Sequence, residues 1–361
     1  YTESGAPASP SQMLPTEVGL IKKLFQASVS AAVIFSPTST YVCEDSYENA
    51  PIAGKLSGVP SVAGGDKQYL SSVATAITQI HPRTFKEVML SCMGFLFEKI
   101  VETRWVPLLP LVQSVLSAEP PIAKHFVDVI LGFVLTNIDI LLAPAAMSRA
   151  AAALFQLVRL TFAQLSANPE LELALKPYLV PLVAQCLKYI TQKTYSFQFL
   201  SLLRSLFRSI GGGKFEQLYK EFTIVLPDVL HALHTVYHAS PLLTPDICIE
   251  LYLSVPARLT NLYPYLHLIA HTLVLSLQVT DESTLKLGLR TLDFWLSHLE
   301  PDHLLTHLSP HLPIIVQSVC DILRCSSSAV AHQAVTVLGR LGARSRFWYT
   351  GASAPLFALP A

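Results

Sequence analysis

"NLYPYLHLIAHTLVLSLQ", residues 261–278, carries no Lys, Arg, Asp or Glu. A run this apolar is either a membrane span or a helix packed on most sides inside an array of helices. A span needs about 20 apolar residues. This stretch is slightly short, has Pro264 near its start, and sets His267, His271, Val274 and Gln278 on one narrow stripe. A helix in a stacked array is covered by its partner and by both neighbouring repeats, which leaves such a thin polar stripe. The packed helix is the reading taken. "FVDVILGFVLTNIDILL" (126–142) is read the same way, because Asp128, Asn137 and Asp139 interrupt it.

The stretch at 261–278 is one of five of similar shape. "WVPLLPLVQSVL" (105–116), "KPYLVPLVAQCLKYI" (176–190), "EFTIVLPDVLHALHTVY" (221–237) and "HLSPHLPIIVQSVCDIL" (307–323) are the others. Each has one or two prolines followed by an apolar helix of three to four turns. Proline suits a helix's first turn, where its missing N–H loses nothing. The last three intervals lie near the period of about 40–47 residues of HEAT-type repeats, and the longest gap holds room for one more, which gives about six helix pairs.

Other segments share the helical period. Phe85, Val88, Met89, Cys92, Leu96 and Ile100 fall on one stripe; so do Phe199, Leu202, Leu203, Leu206 and Ile210, with Arg204 and Arg208 opposite. Leu285, Leu289, Leu292, Leu296 and Leu299 form a third stripe, and Ala331, Val335, Leu338 and Leu341 a fourth. Strand alternation is absent from the pattern. The fold class expected is all-α, an α-solenoid of HEAT-like antiparallel helix pairs over residues 66–346. Residues 1–65, rich in Ser, Pro, Gly and Ala, read as linker or disordered chain with one helix at about 13–35. Residues 347–361 read as a tail outside the pattern, so the last repeat is expected to be cut short with an apolar face showing.

Composition agrees. Apolar residues make up 51% and charged residues 14%, against roughly 25% charged in an average domain; such a chain must bury most of its faces. Net charge is zero, 25 basic against 25 acidic, which argues against phosphate-backbone binding and against docking to an acidic membrane. Cys43, Cys92, Cys186, Cys248, Cys320 and Cys325 form no CxxC, so neither a zinc site nor a disulfide framework is expected. The chain begins at Tyr1 with no leader pattern and reads as a piece of a longer protein.

Few residues invite a chemical role. "SIGGGKFEQ" (209–217) lacks the earlier glycine and the Ser or Thr after Lys that a phosphate loop needs, and reads as a helix stop and turn. His231, His234 and His238, then His267 and His271, then His303, His307 and His311, recur at helical spacing. Without HExxH or a Cys or carboxylate at ligand spacing they read as a polar stripe, with no metal site expected. Glu44, Asp45, Asp281 and Glu282 fall at loops or helix starts, where acids suit the N-terminal dipole. No catalytic residue, cofactor site or metal site is assigned. Residues 193–220 are locally basic, and Arg204, Arg208, Lys214 and Lys220 are the candidate partner-binding residues for an acidic protein surface.

"FLSLLRSLFRSIGGGKFEQLYKEF" (199–222) resembles the family of transformation/transcription domain-associated proteins. "HPRTFKEVM" (81–89), "ELYLSVPARLTNLYPYL" (250–266), "LGLRTLDFWLSHLEPDHL" (287–304) and "AHQAVTVLGRLGARSR" (331–346) resemble further blocks of the same region in the same order. The resemblance covers about residues 67–346; the first 65 residues, and "FWYTGASAPLFALPA" after Arg346, depart from it. It implies a segment of the HEAT-repeat portion of a nuclear, phosphatidylinositol-3-kinase-related protein whose kinase-like domain lacks catalytic residues and lies elsewhere. It also implies a transcription co-activator scaffold in SAGA- and NuA4-type histone acetyltransferase complexes. The implied partners are transcription activators and complex subunits, with no direct nucleic-acid or membrane contact. Another HEAT-repeat binder, such as a nuclear transport receptor, is the alternative.

Overall fold

The computed structural model describes residues 13–35, 64–103, 108–141, 149–191, 196–211, 214–239, 245–325 and 328–349. Most of the stretch expected as linker, and the tail from 350 onward, lie outside them. All regular structure among the described residues is helical, the all-α class that the 3.6 periodicity predicts. The chain divides into two compact units, Tyr1–Leu182 and Val183–Ala361.

The first unit holds α1 (Pro15–Phe35), α2 (Gly64–Thr78), α3 (Pro82–Glu102), α4 (Leu109–Leu116), α5 (Pro120–Leu141) and α6 (Arg149–Ala167). After a 3-10 turn at Pro169–Leu171 comes the first half of α7 (Glu172–Thr191). Alternate helices stack: α1 on α3 and α3 on α5 make one layer, α2 on α4 and α4 on α6 the other. The layers close on each other through α5 against α4 and α6. Thus α1, expected within a linker, packs on α2 and α3 and buries Val18, Phe25, Val29 and Ala32. The α3 stripe from Phe85 to Ile100 is buried throughout, and Phe85 meets Phe126 of α5 edge to face at 6.0 Å between ring centres. Among the described residues one helix, α6, is long and apolar enough to cross a membrane, and 61% of that window is buried against the protein.

The second unit continues with α8 (Ser196–Ile210), α9 (Glu216–Ala239), α10 (Pro245–Leu253), α11 (Leu259–Leu262), α12 (Leu266–Ser276), α13 (Glu282–His298), α14 (Pro301–Leu308), α15 (Leu312–Cys325) and α16 (Ser328–Tyr349). Here α8 stacks on α10, α10 on α13 and α13 on α16, while α12 and α15 back onto α13 and α16. Alternate helices of a HEAT-type α-solenoid are placed this way, each pair sealed by the next.

The stretch at 261–278 is not one helix. The end of α11, a 3-10 turn at Tyr263–Tyr265 holding Pro264, and α12 divide it. The α12 residues Leu266, Ile269, Leu273 and Val274 are buried, while His267, His271 and Gln278 are exposed. Val274, expected on the polar stripe, therefore belongs to the core. Three further expectations need correction. Pro177 and Pro181 lie inside α7, and Pro227 inside α9, rather than in a first turn. Each removes one i→i−4 bond, and burial of the neighbouring Leu179, Leu182, Val225 and Leu226 offsets that loss. In α16 the buried stripe is Val330, Ala334, Val337 and Leu341, while Val335 is 57% exposed; α16 also runs on to Tyr349, past the expected stop at Arg346. Two apolar stripes side by side on α16 make periodicity alone indecisive.

The α12–α13 crossing turns on a glycine. A Cβ at Gly288 would collide with the Ser276 hydroxyl and lie 3.1 Å from Ser276 Cβ and 3.4 Å from a Leu277 methyl. Ser276 is fully buried and its Oγ donates to the Leu273 carbonyl at 2.6 Å, so it cannot simply swing away. Across the same turn Asp281 caps α13, accepting from the Thr284 N–H at 2.8 Å. Replacing Gly288 with Ala should destabilise the chain by about 1–3 kcal/mol. In chemical denaturation, adding Ser276→Ala to that variant should recover part of the loss, giving a double mutant more stable than the two single effects add up to.

Candidate interaction surface

On α8, Arg204 and Arg208 are one turn apart and so share a face. One repeat later α10 presents Glu250, whose side chain is only 10% exposed. Arg208 Nε donates to Glu250 Oε1 at 2.8 Å, at a sequence separation of 42. Arg204 Nε lies 2.8 Å from Oε2, an ion-pair distance, although its N–H is off the hydrogen-bond line. Both arginines are thus engaged within the fold, clamping one carboxylate between stacked helices.

The same device recurs. In the first unit Asp128 of α5 is held between Lys86 of α3 and the Tyr178 hydroxyl of α7. Burial alone would raise the Asp128 carboxyl; the Lys86 and Tyr178 hydrogen bonds and the Lys86 charge outweigh it and hold it below the usual carboxylate value. Burial, then the bond to Asp128, pushes Tyr178 up to about 12. In the second unit Arg340 of α16 lies 2.9 Å from the Asp293 carboxylate of α13. These partners are one repeat apart, as are Lys124 and Glu170 at a separation of 46 and Asn261 and Thr223 at 38.

The four candidate residues therefore fall into two groups. Arg204 and Arg208 come together on Glu250. Lys214 and Lys220 do not join them: Lys214 is exposed in the turn after α8, and the Lys220 side chain is 64% exposed, 3.5 Å from Glu216, which also takes Arg258 at 3.4 Å. In the glycine-rich turn, the Gly211 N–H closes α8 on the Phe207 carbonyl at 2.8 Å and Phe215 is buried, so the segment ends one helix and anchors the next. Gly212, Gly213, Lys193, Glu44 and Asp45 lie outside the described residues. Cys92, Cys186 and Cys248 are buried thiols rather than disulfides.

The histidines gather across helices more than their separate spacings suggest. His234 and His238 of α9 have ring centres 4.3 Å apart. His271 of α12 faces His311 beyond α14 at 6.2 Å. His303 stacks on Tyr263 at 4.5 Å and lies 6.3 Å from His307. Partial burial, then the charges of His238, His231, His267 and His271, holds His234 below the ordinary imidazole value of 6.5. Burial, then His303 and His267, does the same to His307. The result is a polar stripe along successive repeats of the second unit. Sequence spacing places each cluster on its own helix; the contact of α12 with α14 and the nearness of His267 and His271 to His234 join them.

Residues 2–326 match the family described as the Tra1 HEAT repeat central region. The first 65 residues, expected to lie outside the resemblance, are thus nearly all within it. The transformation/transcription domain-associated protein of Homo sapiens is 30% identical over 284 residues, covering 78% of this chain and 7% of that protein. Transcription-associated protein 1 of Drosophila melanogaster is 30% identical over 300 residues, 82% of this chain and 8% of that one. The SAGA complex/NuA4 acetyltransferase complex subunit TRA1 of Saccharomyces cerevisiae is 29% identical over 290 residues, 78% and 7%. The chain spans less than a tenth of the length of these relatives.

Two outcomes follow from this geometry. Glu250→Ala leaves two guanidinium groups facing each other without their carboxylate and should destabilise the chain by about 2 kcal/mol, whereas Lys220→Ala should leave the denaturation midpoint unchanged. The histidine stripe sets a pH dependence. A histidine whose folded value lies below its unfolded one contributes stability in full above the unfolded value, near 6.5 here. That contribution is lost as pH falls through the folded value. Acidification from about pH 7.5 to about 5.5 should therefore lower the melting temperature, with a flatter slope in His234→Ala and His307→Ala.

Proposed function

The chain belongs to the family of the Tra1 HEAT repeat central region, and on that premise we propose that it is a non-catalytic scaffold segment of a nuclear transcription co-activator subunit in SAGA- and NuA4-type histone acetyltransferase complexes. Its work is geometric. Stacked helix pairs hold short turns and helix faces at fixed spacing, and other subunits and transcription activators read those faces. The acetyltransferase chemistry belongs to other subunits, and the kinase-like domain of the parent family, without catalytic residues, supplies none. Repeat-to-repeat sealing is the observation that carries this reading. Asp128, Glu250 and Asp293 are each matched by a base from an adjoining repeat, so these charges serve stacking rather than a reacting substrate.

Within that reading the docking role proposed for the basic stretch narrows to Lys214 and Lys220, because Arg204 and Arg208 are held by Glu250. Epitope-tagged protein carrying this chain, purified from nuclear extract, should elute with histone acetyltransferase activity. Charge reversal at Lys214 and Lys220 should reduce retention of an acidic activation peptide while leaving the circular dichroism spectrum unchanged; full retention by that variant would remove the docking role. Elution with Ran GTPase in its GTP form, and no acetyltransferase activity, would replace the scaffold reading with a nuclear transport receptor.

A further inference from the structure

Eight histidines of the second unit share the stripe described above, and one pair within it has a geometry that the others lack. His234 and His238 both lie on the exposed face of α9, one turn apart. Their Nε2 atoms are 3.1 Å apart, with the rings tilted by 59°. Divalent zinc sits about 2.0–2.1 Å from an imidazole nitrogen, so one ion placed on both nitrogens would subtend about 100° between them. That angle falls between the square and the tetrahedral arrangement.

We propose that His234 and His238 form a two-histidine chelate for a borderline divalent ion of the zinc, copper and nickel class. Among the described residues no group of three His, Cys, Asp or Glu converges, so the chelate has two protein ligands and its other positions are open to water. Imidazole pairs without carboxylates select this class over calcium and magnesium, which take oxygen ligands. In the ion-free state one ring's Nε2–H points to the other ring's Nε2; binding requires that proton to move, through solvent, to Nδ1 of the same ring, with no net proton released. Each ring then carries its single proton on Nδ1, the tautomer a metal at Nε2 requires. Helix α9 already fixes the pair one turn apart, so little ordering is needed on binding.

The test is calorimetric titration of zinc chloride, and separately nickel chloride, into the untagged 361-residue chain after chelator treatment at about pH 7.5. One equivalent should bind with micromolar affinity. His234→Ala and His238→Ala should each weaken it by at least about tenfold, while His332→Ala, on α16, leaves it unchanged. Both positions are exposed, so circular dichroism of the variants should match the parent, and His238→Gln gives a second, conservative removal of the ligand. Equal affinity in the parent and both alanine variants would mean diffuse binding over the stripe and would overturn the proposal. Binding only at millimolar zinc would do the same.

Discussion

A helix pair of a HEAT-type array, about 40–47 residues long, cannot bury its own apolar side; the neighbouring pair must cover it. Nearly every feature of this chain answers to that constraint. It explains how 51% apolar residues can coexist with 14% charged ones. Helices such as α3 and α8 are covered on a wide face by the helix two along, and expose only what remains. Burying a Leu or Phe side chain contributes about 1.5–3 kcal/mol each. A stripe like Phe85 to Ile100, buried at every position, therefore outweighs anything a surface ion pair supplies.

Given that seal, the few charges work as registration marks. Apolar faces slide past one another with little penalty, whereas a half-buried carboxylate that misses its base is left poorly solvated. Glu250, with Arg204 and Arg208 set one turn apart, accepts α8 in a single offset. Asp128 does more, since it meets Lys86 on one side and Tyr178 on the other and so ties three successive helices of its layer in the first unit. At the α12–α13 crossing closeness itself sets the register: Gly288 lets Ser276 approach to a distance that no side chain allows.

Much of this was legible in the sequence, and the exceptions have physical causes. The stripes on α3, α8 and α13 have polar residues between them, so the 3.6 period had one solution and every predicted position is buried. On α16 two apolar stripes adjoin, and only contact with α13 and α15 chooses Val330, Ala334 and Val337 over Val335. Local helix chemistry places proline in a first turn, yet Pro181 and Pro227 sit mid-helix, where tertiary burial exceeds the loss of one backbone bond. The basic stretch looked like a surface patch because the partner of its arginines lies 42 residues downstream of Arg208. No local pattern marks Glu250 as that partner; a carboxylate in the middle of the apolar run "PDICIELYL" was the one available signal.

A residue in a stacked array has two possible uses, stacking or display, and the paired charges here sort between them. Arg204, Arg208, Lys86 and Arg340 reach an adjoining repeat and are committed to stacking. Among the groups left exposed in the second unit are Lys214 in the turn after α8, Lys220 near the start of α9, and the histidine stripe. These differ in kind. The lysines present a permanent positive charge, whereas imidazoles near their own titration range change charge with small shifts in pH and become metal ligands when neutral. The stripe arises because α9, α12 and α14 each carry histidines, and partial burial, then the charges of neighbouring imidazoles, disfavours the protonated form of His234 and His307. Stacking therefore does more than support a surface in this unit: by burying part of His234 and His307 beside other imidazoles it makes those two rings harder to protonate.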